Sequence, residues 1–174
     1  MNAPFLLVRI DDRLIHGQVT VAWGTWLEPY RIILANDEVA GAPWRCELYA
    51  GSDTLGAAVS VVSVDDFCVA VREERWKGER LILVVESPAD LLKLIDGGVA
   101  VPCANVGGMH FTAGKSELLP YVYVDDNDVR DMRAIASRGT GLFAQDVPQT
   151  SPVDLVPILA GLGRGQRKDP DARA

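Results

Sequence analysis

A chain of 174 residues suits one compact domain, at the usual ~100–200 residues per domain, and leaves no room for two catalytic domains. With 48% hydrophobic and 24% charged residues it can bury a real core, which excludes disorder and collagen-like structure. Its 17 Lys+Arg against 24 Asp+Glu give a formal net charge of −7, which excludes a general attraction to nucleic acid or anionic lipid.

The chain opens on an apolar run, 5–10 (FLLVRI), that reads as a buried strand. After His16, the residues Val19, Ala22, Trp23 and Trp26 recur at i, i+3, i+4 and i+7, so the spacing predicts a helix over 17–28 that buries two indoles and ends near Pro29. A strand follows at 31–35 (RIILA), then a helix over 37–50 containing Gly41, Pro43 and Trp44. The next pair is a strand at 59–64 (VSVVSV) and a helix over 65–76 opened by Asp65. After the strand 80–86 (RLILVVE), Ser87 supplies an N-cap, Pro88 the first helical position and Asp90 a first-turn acid. Leu91, Leu92, Leu94 and Ile95 give that helix its apolar face, and Gly97-Gly98 stops it. Further strands are predicted at 100–106, 121–124 and 141–145, with helices over 127–138, closing at Gly139, and 151–162, opened by Ser151-Pro152. Beyond Leu162 the run GRGQRKDPDARA is charged and aperiodic. The expected organisation is one domain over 1–162 and a flexible charged tail over 163–174.

Most of these strands are apolar on both alternating faces, which predicts cover by helices on both sides. The fold class is therefore α/β: a single domain with an open, mostly parallel sheet of about seven strands and helices on both faces. No basic leader precedes an apolar stretch at the N-terminus, and no apolar run reaches the ~18–20 residues that span a bilayer, so the expected address is the cytoplasm. Cys46, Cys68 and Cys103 are odd in number, far apart and in apolar contexts, and read as small buried hydrophobes rather than a disulfide or metal framework.

In an open parallel sheet, ligands gather beyond the carboxyl ends of the strands. The first such loop, Arg9-Ile-Asp11-Asp12-Arg13-Leu-Ile-His16-Gly17-Gln18-Val19, places an imidazole, two guanidiniums and two carboxylates at one strand–helix junction. A neutral imidazole is nucleophilic near physiological pH, and Gly17 has no Cβ to block an approaching anion. Amides at the helix start favour negative charge, and the fork of Arg13 matches phosphoryl oxygens. Asp11 or Asp12 could hold an arginine or the imidazole in place. Taken alone, however, a single His near a helix start is more often a cap or surface residue, and Asp-Asp-Arg is ordinarily a solvated ion-pair loop of little energetic weight.

The run RIDDRLIHGQV resembles the active-site signature of the IIB component of the mannose/fructose/sorbose family of the sugar phosphotransferase system (PTS). ANDEVA (35–40), the strand–Ser-Pro–helix unit of 80–98, NVGGMH (105–110) and Gln145-Asp-Val-Pro148 are similar to later segments of that family, so the likeness covers about residues 5–162. It implies a cytoplasmic phosphocarrier, reaching the inner face of the membrane through its permease. The phosphoryl group would come from a phosphohistidine of a IIA protein to Nδ1 of His16, with Arg13 holding it. It would then pass to a sugar carried through a IIC/IID membrane complex. Arg9, Asp11, Gly17 and Ser87 support the phosphate in this reading, and no metal, nucleotide or other cofactor is implied. The chain departs from the family at Glu86-Ser87-Pro88, where a basic or threonine-bearing turn is common. Ser87 still offers a hydroxyl and an amide there, while Glu86 adds negative charge if it points inward.

NVGGMHFTAGKS imitates a P-loop, but five residues separate Gly108 from Gly114 where four are required, so nucleotide binding is not expected. His110 reads as a residue of a second loop lining the site rather than a second phosphoacceptor, and Trp23 and Trp26 as core packing rather than a sugar platform. Two other functions stay open at this point: a regulatory phosphoacceptor that signals to a target protein through the same His16 chemistry, and a small-molecule-binding α/β domain without phosphotransfer.

Overall fold

The computed structural model describes residues 5–52 and 54–162. The chain runs from β1 (Phe5–Asp11) through a π-helical segment (Gln18–Trp23) into α1 (Gly24–Leu27), then β2 (Arg31–Ala35), α2 (Asp37–Ala40), α3 (Pro43–Ala50) and β3 (Ala58–Val62). Next come α4 (Val64–Arg72), β4 (Leu81–Val85), α5 (Pro88–Asp96), β5 (Cys103–Gly108), β6 (Ser116–Leu119) and β7 (Val122–Val124). It ends with α6 (Asp126–Ser137), β8 (Gly141–Ala144), β9 (Val153–Asp154) and α7 (Leu155–Gly161).

Seven strands form one sheet in the order β3-β2-β4-β1-β5-β8-β9. The first six pair in parallel, and the two-residue β9 is an antiparallel edge. Period-two alternation divides the core between the two faces. Ile33 and Ala35 of β2 and Leu81, Leu83 and Val85 of β4 join the larger cluster, under α4, α5, α6 and α7. Ile32, Leu34, Ile82 and Val84 turn to the smaller one, under Val19 and Trp23 of the π-helical segment, Val39 of α2 and the half-buried Tyr49 of α3. The α/β class with helices on both faces thus follows from runs that offer apolar side chains in both directions.

Several elements differ from the sequence expectation. Residues 121–124 form no part of the main sheet: β7 pairs antiparallel with β6 in a separate hairpin. The seventh sheet strand is β9, at the start of the segment read as a helix over 151–162, and Asp154 rather than Ser151 caps α7 by accepting from the Val156 amide. The helix expected over 37–50 is two helices, because Pro43 opens α3 afresh after Gly41 closes α2. Helix α4 is capped by Ser63, whose side chain accepts from the Asp66 amide, so Asp65 lies in the first turn instead of opening it.

Of the two indoles expected inside, Trp23 is buried but Trp26 is 65% exposed. The bonding of a π-helix runs i→i+5, which breaks the 3.6-residue phase on which the i, i+7 reading depended. Among the cysteines only Cys68 is buried; Cys46 is half-buried, and Cys103 is exposed opposite Gly141, which brings no side chain to cover it. The tail expected over 163–174 lies outside the described residues.

Candidate active site

β1 lies between β4 and β5. Its crossover leads toward β2 on one side, while the chain after β5 leads to β8 on the other. The sheet therefore reverses its winding beside β1, and the loops after β1, β4 and β5 meet over a crevice at their carboxyl ends.

Alternation along β1 places Arg9 and Asp11 on the same face as Leu7, beneath the π-helical segment. Arg9 is fully buried, with its guanidinium 6.0 Å from the ring centroid of Trp23. A buried cation must find several partners. Arg9 donates to Oδ2 of Asp11 through Nε (3.1 Å) and Nη2 (2.8 Å), to Oδ1 of Asn105 (2.6 Å) and to the Gln145 carbonyl (3.1 Å). Asn105 stands opposite Arg9 in the β1–β5 register and itself donates to the Gln145 carbonyl at 3.0 Å. Burial presses the Arg9 pKa down and Asp11 opposes it; arginine begins so far above neutrality that the group stays cationic.

Asp11 is also fully buried and anchors the loop above it. Its Oδ1 accepts from the Arg13 amide (3.1 Å), and its Oδ2 meets Nε2 of His16 (3.0 Å). Burial alone would raise the Asp11 pKa. The hydrogen bond from His16, the charges of Arg9 and His16, and the Arg13 amide outweigh it and hold the carboxyl below its ordinary value.

The segment between Asp11 and His16 turns through Leu14, a left-handed residue (φ 61°) whose amide donates to the Asp11 carbonyl at 2.9 Å. Leu14 and Ile15 pack into the smaller core cluster. These two apolar pegs leave the flanking Arg13 side chain 43% exposed and His16 18% exposed. With Nε2 facing Asp11, the other ring nitrogen, Nδ1, faces the Gln18 amide at 3.4 Å. The Gln18 side chain ties the guanidiniums together, its Oε1 accepting from Arg13 (2.8 Å) and Arg9 (3.2 Å). The helix start offers fewer amides to an anion than expected, because those of Val19 and Thr20 bond the His16 carbonyl.

The structure thus draws Arg9, Asp11, Arg13 and His16 into one connected group. Gly17 opens the π-helical segment with space where a Cβ would stand, so no atom of the described residues demands its glycine. Ser87 lines an open cleft of about 530 Å³ beside Arg13. Its hydroxyl donates to Asp90 Oδ2 (2.7 Å) while capping α5. Glu86 turns toward Asn36, which donates to it at 2.6 Å. Sequence reasoning gave no individual role to Gln18, Asn105 or Gln145. The signal for Asn105, as for Arg9, is a polar residue inside a strand whose neighbours are apolar on both faces, a position that requires a buried partner.

An imidazole oriented by a buried aspartate at the switch point of a doubly wound α/β sheet defines the class of site. Residues 5–169 match the family model described as the PTS system sorbose subfamily IIB component, and the chain belongs to that family of phosphotransferases. It is 35% identical over 150 residues to the N-acetylgalactosamine-specific phosphotransferase enzyme IIB component 1 of Escherichia coli strain K12, covering 85% of this chain and 94% of that protein. It is 36% identical over 153 residues to the PTS system mannose-specific EIIAB component of the same strain, covering 86% of this chain but 47% of that longer protein. The crystal structure of the IIBSor domain of the sorbose permease from Klebsiella pneumoniae superposes with a TM-score of 0.85 at 30% identity, covering 91% of this chain and 98% of that one. Among the described residues no helix is long and apolar enough to cross a membrane.

Proposed function

We propose that this protein is a cytoplasmic phosphocarrier whose His16 receives a phosphoryl group from a phosphohistidine of a IIA protein and passes it to a sugar entering through a IIC/IID permease. The observation that carries this reading is the orientation of His16: Asp11 engages Nε2, leaving the lone pair on Nδ1, which meets only the Gln18 amide at 3.4 Å. In the first transfer that lone pair attacks phosphorus in line as the bond from phosphorus to the donor nitrogen breaks. Arg13, on a long stem beside the ring, offsets charge on the phosphoryl oxygens. Asp11 balances the positive character that the His16 ring acquires, and Arg9 fixes Asp11 from below. In the second transfer the Nδ1–phosphorus bond breaks toward a sugar hydroxyl. The name of the mannose-specific relative, an EIIAB component, supports a IIA partner because it joins the two parts in one protein. The Gln18 amide, which faces Nδ1, supplies a further donor near the phosphate path, and Ser87 becomes one by exchanging its bond to Asp90.

The test is incubation with phosphoenolpyruvate, enzyme I, HPr and a matching IIA protein, followed by intact mass. One acid-labile phosphoryl group is expected, absent from His16→Ala. An unchanged mass, or a His16→Ala protein that still acquires the group, overturns the reading.

A further inference from the structure

Two consecutive aspartates at the end of β1 each grip one imidazole, by opposite nitrogens. Asp11 holds Nε2 of His16 at 3.0 Å; Asp12 holds Nδ1 of His110 through Oδ1 at 2.5 Å. The second oxygen of Asp12 accepts the backbone N–H of His110 at 2.5 Å, and the Asp12 amide donates to the Gly108 carbonyl at 3.1 Å. His110 is therefore clasped at both its ring and its backbone, although its side chain is 54% exposed. It lines the same cleft as Arg13 and Ser87. The phosphocarrier chemistry leaves this second aspartate–imidazole pair without a task.

We propose that His110, oriented by Asp12, is the general base of the second transfer, accepting the proton of the sugar hydroxyl as the phosphoryl group leaves His16. The proposal rests on the phosphocarrier reading above. The two transfers differ in proton demand. Attack by the Nδ1 lone pair of His16 on a donor phosphohistidine requires no proton to be removed. Attack by a hydroxyl does: the oxygen–phosphorus bond forms, the Nδ1–phosphorus bond breaks returning its electron pair to His16, and the hydroxyl proton must go elsewhere.

The other charged groups facing the cleft each carry a partner of their own. Arg13 and Lys115 are cations, and Lys115 pairs with Asp128 at 3.0 Å. Glu86 is held toward Asn36 through Oε2, Asp128 takes Lys115 and the Asp125 amide on its Oδ2, and both oxygens of Asp12 are engaged by His110 itself. With Nδ1–H donated to Asp12, His110 keeps its lone pair on Nε2, on a side chain that lines the cleft, and the aspartate then stabilises the imidazolium formed on proton capture. Nε2 has no partner among the described residues.

The test follows the two transfers separately. The protein and His110→Gln are phosphorylated by phosphoenolpyruvate, enzyme I, HPr and a IIA protein. Discharge is then timed on vesicles bearing the matching IIC/IID permease, with mannose, fructose, sorbose or N-acetylgalactosamine as acceptor, across a range of pH. The expected result is loading of His16 within about twofold and discharge slowed by about 10²-fold, the lower range for losing a general base. The acid limb of the parent's discharge profile disappears in the variant. Asp12→Asn shows the same split to a smaller degree. Normal discharge with an unchanged pH profile overturns the proposal, as does equal slowing of both transfers, which would make His110 a structural residue. Failure of the parent itself to accept phosphate overturns instead the phosphocarrier reading.

Discussion

Gly107 lies so close against Arg9 that a Cβ added to the glycine would overlap the guanidinium carbon and both terminal nitrogens. The glycine is what allows the charged side chain to lie across the face of β5. Gly107→Ala is expected to expel Arg9, leaving Asp11 and Asn105 without their shared cation. Breaking one side of a buried pair costs about 3–5 kcal/mol. At the ~2–4 °C per kcal/mol usual for a domain of this size, the melting temperature should fall by about 10 °C. Thermal unfolding followed by circular dichroism checks it, and a variant that melts with the parent would show that Arg9 has another berth.

Asp11 contributes stability with a defined pH dependence. Its carboxyl titrates below the ordinary value in the folded protein. Its contribution is therefore fully present above the unfolded carboxylate range of about 4, and is lost as pH falls through the lower folded value. Asp11→Asn removes the charge at every pH. The stability difference between parent and variant should be largest above about pH 5 and shrink steadily below about pH 4. Urea midpoints measured for both proteins across that interval decide the matter; a difference that grows in acid contradicts the sign.

Much of the fold is legible in the sequence because the strands of a covered parallel sheet are local objects. RIILA is β2 to the residue, and the Ser87-Pro88 opening of α5 is a local rule obeyed. The exceptions fall where a distant partner or an irregular backbone decides. Nothing in YVYV shows that it pairs with Ser116–Leu119 instead of entering the sheet. Trp26 keeps the helical spacing from the buried Val19, but the π-helical bonding between them turns it outward. At the site, the residue types of loop 9–19 suggest phosphate on histidine but read equally as a solvated ion-pair loop, and it is family likeness that singles out this loop and the later segments beside it. The roles within them are not legible: Asn105 meets Arg9 only because β5 lies beside β1 in one register, and Asp11 and Asp12 part because one ends β1 and the other opens the turn beside Gly108.

The same irregular turn separates the two tryptophans energetically. Trp23 is buried against Arg9 and its Nε1 donates to the Asp146 carbonyl at 3.1 Å, whereas Trp26 faces solvent. Trp23→Ala should destabilise by about 3–5 kcal/mol, as for other large aromatic truncations in cores. Trp26→Ala should change stability by no more than about 0.5 kcal/mol. Denaturant unfolding of the two variants measures this, and comparable losses would place Trp26 inside an interface.

Arg13 separates function from stability in the opposite way. Its guanidinium is partly exposed, bonded to Gln18, and 3.8 Å from Asp11 at Nε. Arg13→Ala should leave stability within about 0.5 kcal/mol of the parent. Loading of His16 should slow by about 10²-fold, the scale of losing one donor to developing charge. Rapid-quench phosphorylation beside a melting curve checks both halves, and matching losses in rate and stability count against a role at the phosphate.

Under the proposed function, Gln18 offers the sharpest probe of how the site would change on taking phosphate. Its side-chain carbonyl accepts from both Arg9 and Arg13, and its amide faces Nδ1 of His16. A phosphoryl group on Nδ1 must compete with that carbonyl for the Arg13 fork. Gln18→Glu keeps the shape but turns the neutral acceptor into a carboxylate, whose hydrogen bonds to arginine are roughly twice as strong. The carboxylate also repels an arriving phosphate. A penalty of about 1.4 kcal/mol would slow loading tenfold, so Gln18→Glu should accept phosphate about ten times more slowly than the parent, more so at low ionic strength. Gln18→Ala, which frees Arg13 without adding charge, should not reproduce that salt dependence. Loading rates of the three proteins at two salt concentrations test it: equal rates for parent and Gln18→Glu would mean that Arg13 never leaves Gln18 to meet the phosphate.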